Sequence, residues 1–225
     1  MAELIVAFDV ASGRDALAIA DRLPELQWAK LGPVLFVREG PALVREFAAR
    51  GVRVFLDLKW HDIPSTVAEA ASVARTLGVA LATVHCLGGH EMLAAAVRAA
   101  GDDLALVGVT LLTSHGPADV EQILGRGVPD LGFEAARLAR LAMGAGLRGV
   151  VASGRELGVL RASLGAAPWI VVPGIRPPGT SVDDQARSVT PAEAVRHGAT
   201  HLVVGRPITR AADPAVAYRQ ILEGV

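Results

Sequence analysis

Asp57, Lys59 and Asp62 fall within one short stretch, Phe55-Leu-Asp-Leu-Lys-Trp-His-Asp-Ile-Pro-Ser-Thr66, which begins as an apolar strand and ends as a helix start. Successive strand residues point to opposite faces, so Asp57 and Lys59 leave the backbone on the same side. Asp62 follows past the strand end. Burying two carboxylates and an ammonium there costs several kcal/mol unless they pair well, and Val or Ile would serve folding better. A structural ion pair is the plain alternative, but two acids against one lysine leave a charge over. Lys30, predicted to point inward from the neighbouring strand, balances it. Lys30, Asp57, Lys59 and Asp62 would then form a neutral array of alternating sign. Such an array keeps a lysine charged and aims its proton at one point, while its carboxylates repel a second anion.

The elements that must position these groups can be read along the chain. Eight β-rich runs occur in order: Leu4–Val10, Trp28–Leu31, Val52–Lys59, Ala80–Cys86, Leu104–Thr113, Gly149–Ser153, Trp169–Ile175 and His201–Gly205. Most are continuously apolar, the pattern of parallel strands covered on both faces. Helical periodicity separates them, over Pro41–Arg50, Thr66–Leu77, Phe133–Met143 and Ala192–His197. The stretches 9–15, Thr190-Pro191 and Asp213-Pro214 read as helix caps. Eight strand-then-helix units in 225 residues predict an α/β fold, a (β/α)8 barrel forming a single domain over residues 1–225. An open doubly wound sheet is the alternative, but the first and last strands both read as buried and no strand is a polar edge.

A barrel of this kind carries its function at the carboxyl ends of its strands. Polar residues are expected there in succession: Asp9, Lys30, Asp57 with Lys59, His85, Thr113, Ser153, Arg176 and Gly205-Arg206. The opposite strand ends show no matching set. The loops after the seventh and eighth strands are the usual phosphate site of the fold. There Gly205 lets an anion approach the backbone amides, and Arg176 and Arg206 supply planar donor forks. The connection Arg176–Val189 is long for a compact barrel and would suit a lid over a phosphorylated ligand, with Gln185 within it. His85, Cys86 and Ser153 read as structural. Asp9 either caps the first helix or touches ligand. Gly88-Gly89 marks a tight turn, and His61, His115 and His201 lack metal-ligand spacing.

Composition excludes other classes. Hydrophobic residues make up 52% of the chain and the net charge is −1, with the 22 basic residues scattered, so no nucleic-acid partner is expected. The single Cys86 excludes an internal disulfide or a zinc site built on several cysteines. No signal-peptide pattern and no apolar run of membrane-spanning length occur, so no membrane partner is expected and a cytoplasmic protein is the simplest reading.

Taken together, Ala7-Phe-Asp9, Ala29-Lys-Leu-Gly32, the Asp57–Thr66 motif, Val84-His85 with Gly88-Gly89, Gly108–Ser114, Pro173-Gly-Ile-Arg-Pro177 and Gly205-Arg-Pro-Ile-Thr209 cover nearly the whole chain. In these residues the sequence resembles the orotidine 5′-phosphate decarboxylase family in its compact bacterial form. Ser65, where that pattern usually has Asn, and Trp60, in place of a common Phe, are mild departures. The resemblance implies conversion of orotidine 5′-monophosphate to UMP and CO2 in pyrimidine biosynthesis, with no metal or organic cofactor. It implies that Lys59 donates the proton to C6 and that Asp57 lies against the departing carboxylate. Asp62, with Ile63 and Thr66, would reach into the partner's site across a homodimer interface. Lys30 and Asp9 would hold ribose hydroxyls, and Thr113 would meet the pyrimidine. Gln185, Arg176, Arg206 and the Gly205 amide would take the phosphate.

Two other readings stand beside this one. A magnesium-dependent sugar-phosphate decarboxylase or aldolase would share the Asp-x-Lys-x-x-Asp strand. Such relatives follow it with Ala-Gly where this chain has Ile63-Pro64, and they carry an acid where this chain has Lys30. A non-catalytic nucleotide-phosphate binding barrel would have no reason to keep four buried charges.

Overall fold

A computed structural model of the chain describes residues 2–177 and 189–225. Eight parallel strands close into a barrel in sequence order: β1 (Glu3–Ala7), β2 (Trp28–Leu31), β3 (Arg53–Trp60), β4 (Val79–His85), β5 (Ala105–Val109), β6 (Gly149–Val151), β7 (Trp169–Val172) and β8 (His201–Val204). Around them run α1 (Gly13–Ala20), α2 (Pro33–Glu39), α3 (Pro41–Ala49), α4 (Pro64–Thr76), α5 (Gly89–Ala100), α6 (Pro117–Leu124), α7 (Leu131–Gly144), α8 (Leu157–Leu164), α9 (Pro191–Arg196), α10 (Arg206–Thr209) and α11 (Pro214–Glu223). The predicted (β/α)8 barrel is the fold observed, closed by β1 pairing with β8.

Strand alternation divides the core in two. Ile5, Ala7, Trp28, Phe55, Leu81, Val107, Val171 and Val203 fill the barrel interior. Their neighbours in sequence, such as Leu4, Val6, Ala29, Val54 and Leu202, pack outward against the helices. Lys30 follows Trp28 by two residues, which turns it inward as expected. Gly149 is needed in this interior, because a Cβ there would lie 2.1 Å from the Trp169 carbonyl oxygen.

Helix starts follow local rules. Ser12 accepts from the Asp15 amide, Thr190 and Glu193 form a reciprocal capping box, and Asp213 accepts from the Ala215 and Val216 amides ahead of Pro214. α4 begins with Pro64 after Ile63, and Ser65 is an exposed residue of its first turn. Five strands, β1, β5, β6, β7 and β8, are shorter than their apolar runs. The last rung of β5 is the Thr110 amide donating to the Val151 carbonyl, and the apolar run goes on past Val109 because Leu111 of the following loop is also buried.

The amino-terminal strand ends do carry polar residues, contrary to expectation. Arg53 pairs with Glu3 at 2.6 Å and stacks 4.4 Å from the Trp28 ring, whose indole N–H donates to Glu3. A cavity of about 770 Å³ opens at this end, and its Arg53 and Arg148 are spent over the rings of Trp28 and Trp169. These polar groups brace the barrel floor and present no acid–base array.

His201 is buried between Trp169 and Trp28, ring centroids 4.5 and 5.9 Å away, and among the described residues its Nε2 has no hydrogen-bond partner. Burial pushes its pKa down to about 4 from 6.5, against the partial pull of Glu3. The unfolded chain therefore binds a proton that the fold refuses between about pH 6.5 and 4, and stability falls as pH drops through that window. His201→Leu is expected to lose less stability than wild type over that window, by roughly 2–3 kcal/mol. Urea unfolding of both proteins across the window measures the difference, and parallel curves would contradict it.

Candidate active site

The carboxyl ends of the strands surround a cavity of about 510 Å³. Asp9, Lys30, Asp57, Lys59, Thr113, Arg176, Gly205 and Arg206 all line it, so eight residues singled out in six separate segments are brought together. Ala7, Phe55, Val109, Val151 and Val203 give it an apolar floor.

The charged core is built by β1, β2 and β3. Lys30 Nζ lies 3.2 Å from Asp9 Oδ1 and 3.5 Å from Asp57 Oδ2. Lys59 Nζ donates to Asp57 Oδ1 at 3.0 Å. Asp9, Lys30, Asp57 and Lys59 thus alternate in sign and balance in charge. Burial alone would raise the Asp57 pKa. The charges of Lys30 and Lys59, with hydrogen bonds from Lys59 and Thr83, outweigh that and hold the carboxyl below its ordinary value. Asp57 is therefore an anion between two ammonium groups. Asp9 does not cap α1, a role that Ser12 takes.

Lys59 reaches this position through an irregular backbone. Among the described residues it is the only non-glycine with positive φ, at +53°. The left-handed region costs an L-residue roughly 1–2 kcal/mol. Such strain clusters at functional sites. The β3–β4 register shifts between Leu56 and Trp60, so strand alternation alone does not set the Lys59 direction. The Lys59 amide donates to Thr83 Oγ1 at 2.8 Å, and that hydroxyl donates on to Asp57 Oδ1 at 3.1 Å.

Asp62, Ile63 and Thr66 do not enter this cavity. All three are exposed, and the Asp62 carboxylate accepts from the Ile63 amide at 2.6 Å. Within one chain the array is completed by Asp9 rather than Asp62. Gln185 and most of the connection from Arg176 to Val189 lie outside the described residues. At the start and end of that connection the Arg176 amide donates to the Val189 carbonyl at 3.0 Å.

His85 and Ser153 are structural, as their neighbours show. His85 Nδ1 accepts from the Leu87 amide, and its ring stacks on His61 at 5.5 Å. Burial first, then His61, Lys59 and His115, push its pKa down to about 4, so it stays neutral beside Lys59. Ser153 is buried and closes a capping box with Glu156. The Cys86 thiol is buried, with its pKa pushed up to about 12, and is inert as a nucleophile. Among the described residues no three His, Cys, Asp or Glu side chains group as a metal site would require.

Two contributors escaped the sequence reading. Arg210 lines the cavity beside Arg206. Its signal was the four-residue spacing after Arg206, legible once α10 is known to be helical. Thr83 stands behind Asp57 and Lys59, and its signal was a lone hydroxyl on the inward face of an otherwise apolar strand.

The sequence matches the model of the Orotidine 5'-phosphate decarboxylase / HUMPS family over residues 2–221. It is 51% identical over 202 residues to an orotidine 5′-phosphate decarboxylase of Anaeromyxobacter sp. (strain K), covering 90% of this chain and 88% of that one. It is 50% identical over 222 residues to one from Alkalilimnicola ehrlichii, covering 97% and 94%. In three dimensions it superposes with TM-score 0.88 on the crystal structure of orotidine 5′-phosphate decarboxylase from Lactobacillus acidophilus, at 32% identity, covering 100% of this chain and 99% of that one. A barrel with this charged array, matched along nearly its whole length, belongs to the orotidine 5′-phosphate decarboxylase / HUMPS family.

Proposed function

We propose that this chain, as one catalytic barrel, decarboxylates orotidine 5′-monophosphate to UMP and CO2 in pyrimidine biosynthesis. The observation that carries the reading is the pairing of Lys59 Nζ with Asp57 at 3.0 Å in a cavity that also holds Arg176 and Arg206. Breaking the bond from C6 to the carboxyl carbon leaves the electron pair on C6, in the ring plane, where the π system cannot take it up. An ammonium aimed at that carbon stabilises the developing charge and then gives up its proton to it. Solvent afterwards returns a proton to Lys59.

Asp57 lies against the substrate carboxylate and holds Lys59 charged. Lys30 and Asp9 meet the ribose hydroxyls, and Thr113 the pyrimidine over the apolar floor. Arg176, Arg206 and the Gly205 amide take the phosphate. Gln185 is assigned to the phosphate on family resemblance alone. Phosphate binding is remote from the bond that breaks, so its energy can be used to close the site and exclude water. Neither metal nor organic cofactor has a step in this scheme.

We further propose a cytoplasmic homodimer with shared sites, in which Asp62, Ile63 and Thr66 complete the partner's cavity. Ile63 is 63% exposed, and Val34 and Val37 on α2, after the adjoining strand, are 66% and 87% exposed. Uncovered apolar side chains in one region favour association.

The test is the loss of orotidine 5′-monophosphate absorbance with purified protein, with and without EDTA. Equal rates support the reading. Activity that needs magnesium, on sugar phosphates alone, would replace it with the sugar-phosphate alternative. UMP binding without any turnover would leave a binding barrel. Arg206→Ala is expected to raise KM for the nucleotide by about 10–100-fold, the worth of a charge-assisted bond. Inhibition by the bare nucleoside should change by less than about threefold, since a phosphate ligand contributes nothing to it. Equal losses for both would remove Arg206 from the phosphate site.

A further inference from the structure

We propose that Thr83 is a positioning residue for the reaction: its hydroxyl holds Lys59 in the left-handed backbone conformation from which the ammonium reaches the substrate carbon. This inference rests on Lys59 being the proton donor.

Three observations converge on Thr83. It is fully buried on β4, in the inward row with Leu81, where Val would fill the same space and suit a parallel strand. A hydroxyl in such a place is unfavourable unless bonded. It is bonded twice, to the Lys59 amide at 2.8 Å and to Asp57 Oδ1 at 3.1 Å. Finally, the ladder is irregular at this point. Leu56 pairs with Ala82 and Trp60 with Val84, so Asp57, Leu58 and Lys59 stand opposite the single residue Thr83.

These facts have one geometric meaning. A regular strand would bond its amides to backbone carbonyls of a neighbour. At Lys59 the chain bulges to φ +53°, and the Thr83 hydroxyl substitutes for the missing carbonyl. The same hydroxyl donates a hydrogen bond to Asp57, so one side chain fixes both the backbone of the donor and the carboxylate that aligns it. Asp57 Oδ1 then receives Thr83 and Lys59, leaving Oδ2 to face Lys30 at 3.5 Å. Thr83 is not among the residues lining the cavity. It acts through Lys59 and Asp57, not on substrate.

Without the hydroxyl, the left-handed conformation loses the partner that compensates it. Lys59 should relax towards the β region, and its ammonium should move off target. A displacement of about 1 Å at a reacting group can lower a rate by about 10²-fold. Binding should change little, because the phosphate contacts lie on β7, β8 and their loops.

The experiment compares Thr83→Val, Thr83→Ala and Thr83→Ser with wild type in kcat, KM and a crystal structure. Val and Ala are expected to lower kcat by about 10²-fold. KM should stay within about threefold, the pattern of an interaction that matters only in the transition state. Ser keeps the hydroxyl and should stay within about fivefold of the wild-type kcat. In the Val or Ala structure, φ of Lys59 should leave the left-handed region. If Val fails to fold, the comparison of Ala with Ser carries the same decision. Wild-type kcat in Val and Ala, or equal losses in Ser and Val, would overturn the proposal, as would an unchanged Lys59 φ. Should wild type itself fail to decarboxylate the nucleotide, the reading of function falls, and the Lys59 φ still decides what Thr83 does.

Discussion

Lys59→Ala is expected to lower kcat for orotidine 5′-monophosphate by about 10⁵-fold or more, because one group supplies both general-acid and electrostatic stabilisation. The protein should stay folded. Lys59 is a partly exposed residue at the barrel mouth, and its removal leaves Asp57 paired with Lys30 at 3.5 Å. UMP should still bind, since Arg176 and Arg206 remain. Steady-state kinetics, thermal unfolding and UMP titration separate these effects. Turnover near the wild-type rate would take the proton-donor role from Lys59, and loss of UMP binding would show that the substitution disturbed more than chemistry.

The second large effect concerns Asp62. Its carboxylate accepts from the Ile63 amide and does not line its own chain's cavity. Asp62→Ala and Lys59→Ala chains should each be inactive as homodimers. In a two-fold dimer with shared sites, a mixed dimer gathers both defects in one site and neither in the other. Mixing the two inactive proteins under conditions of subunit exchange should therefore restore activity, to about half the wild-type rate per mixed dimer. Exchange proven by mass spectrometry with no activity recovered would mean that Asp62 serves its own chain, and the shared site would have to be given up.

The barrel was legible because its strands are apolar on both faces and its helices carry their own start signals at Ser12, Thr190 and Asp213. Where strands end was not legible. Past Val109, the last paired residue of β5, Thr110 and Leu111 are still buried, so no change of pattern marks where the ladder ends. The charged array was legible for Lys30, Asp57 and Lys59, since inward alternation and unpaired charge both point there. Asp9 was ambiguous in sequence, because a carboxylate before a helix is also a good cap. Ser12 resolves that by taking the cap. The left-handed turn at Lys59 had no local signal, since neither glycine nor asparagine marks it and its support comes from Thr83, 24 residues further along the chain. Arg53 and Glu3 were overlooked, and His201 was read only as lacking metal-ligand spacing, because each sits singly at the start of a different strand and only closure of the barrel gathers them.

If this charged cavity breaks one carbon–carbon bond of orotidine 5′-monophosphate without a metal, carboxyl carbon and UMP must be released together. The most direct measurement supplies that nucleotide isotopically labelled at its carboxylate, in excess EDTA, and follows label and nucleotide together by NMR. Label should leave as CO2 and bicarbonate in amounts equal to the UMP formed, in wild type and not in Lys59→Ala. Label that stays on the nucleotide, or release that stops when chelator is added, would contradict it.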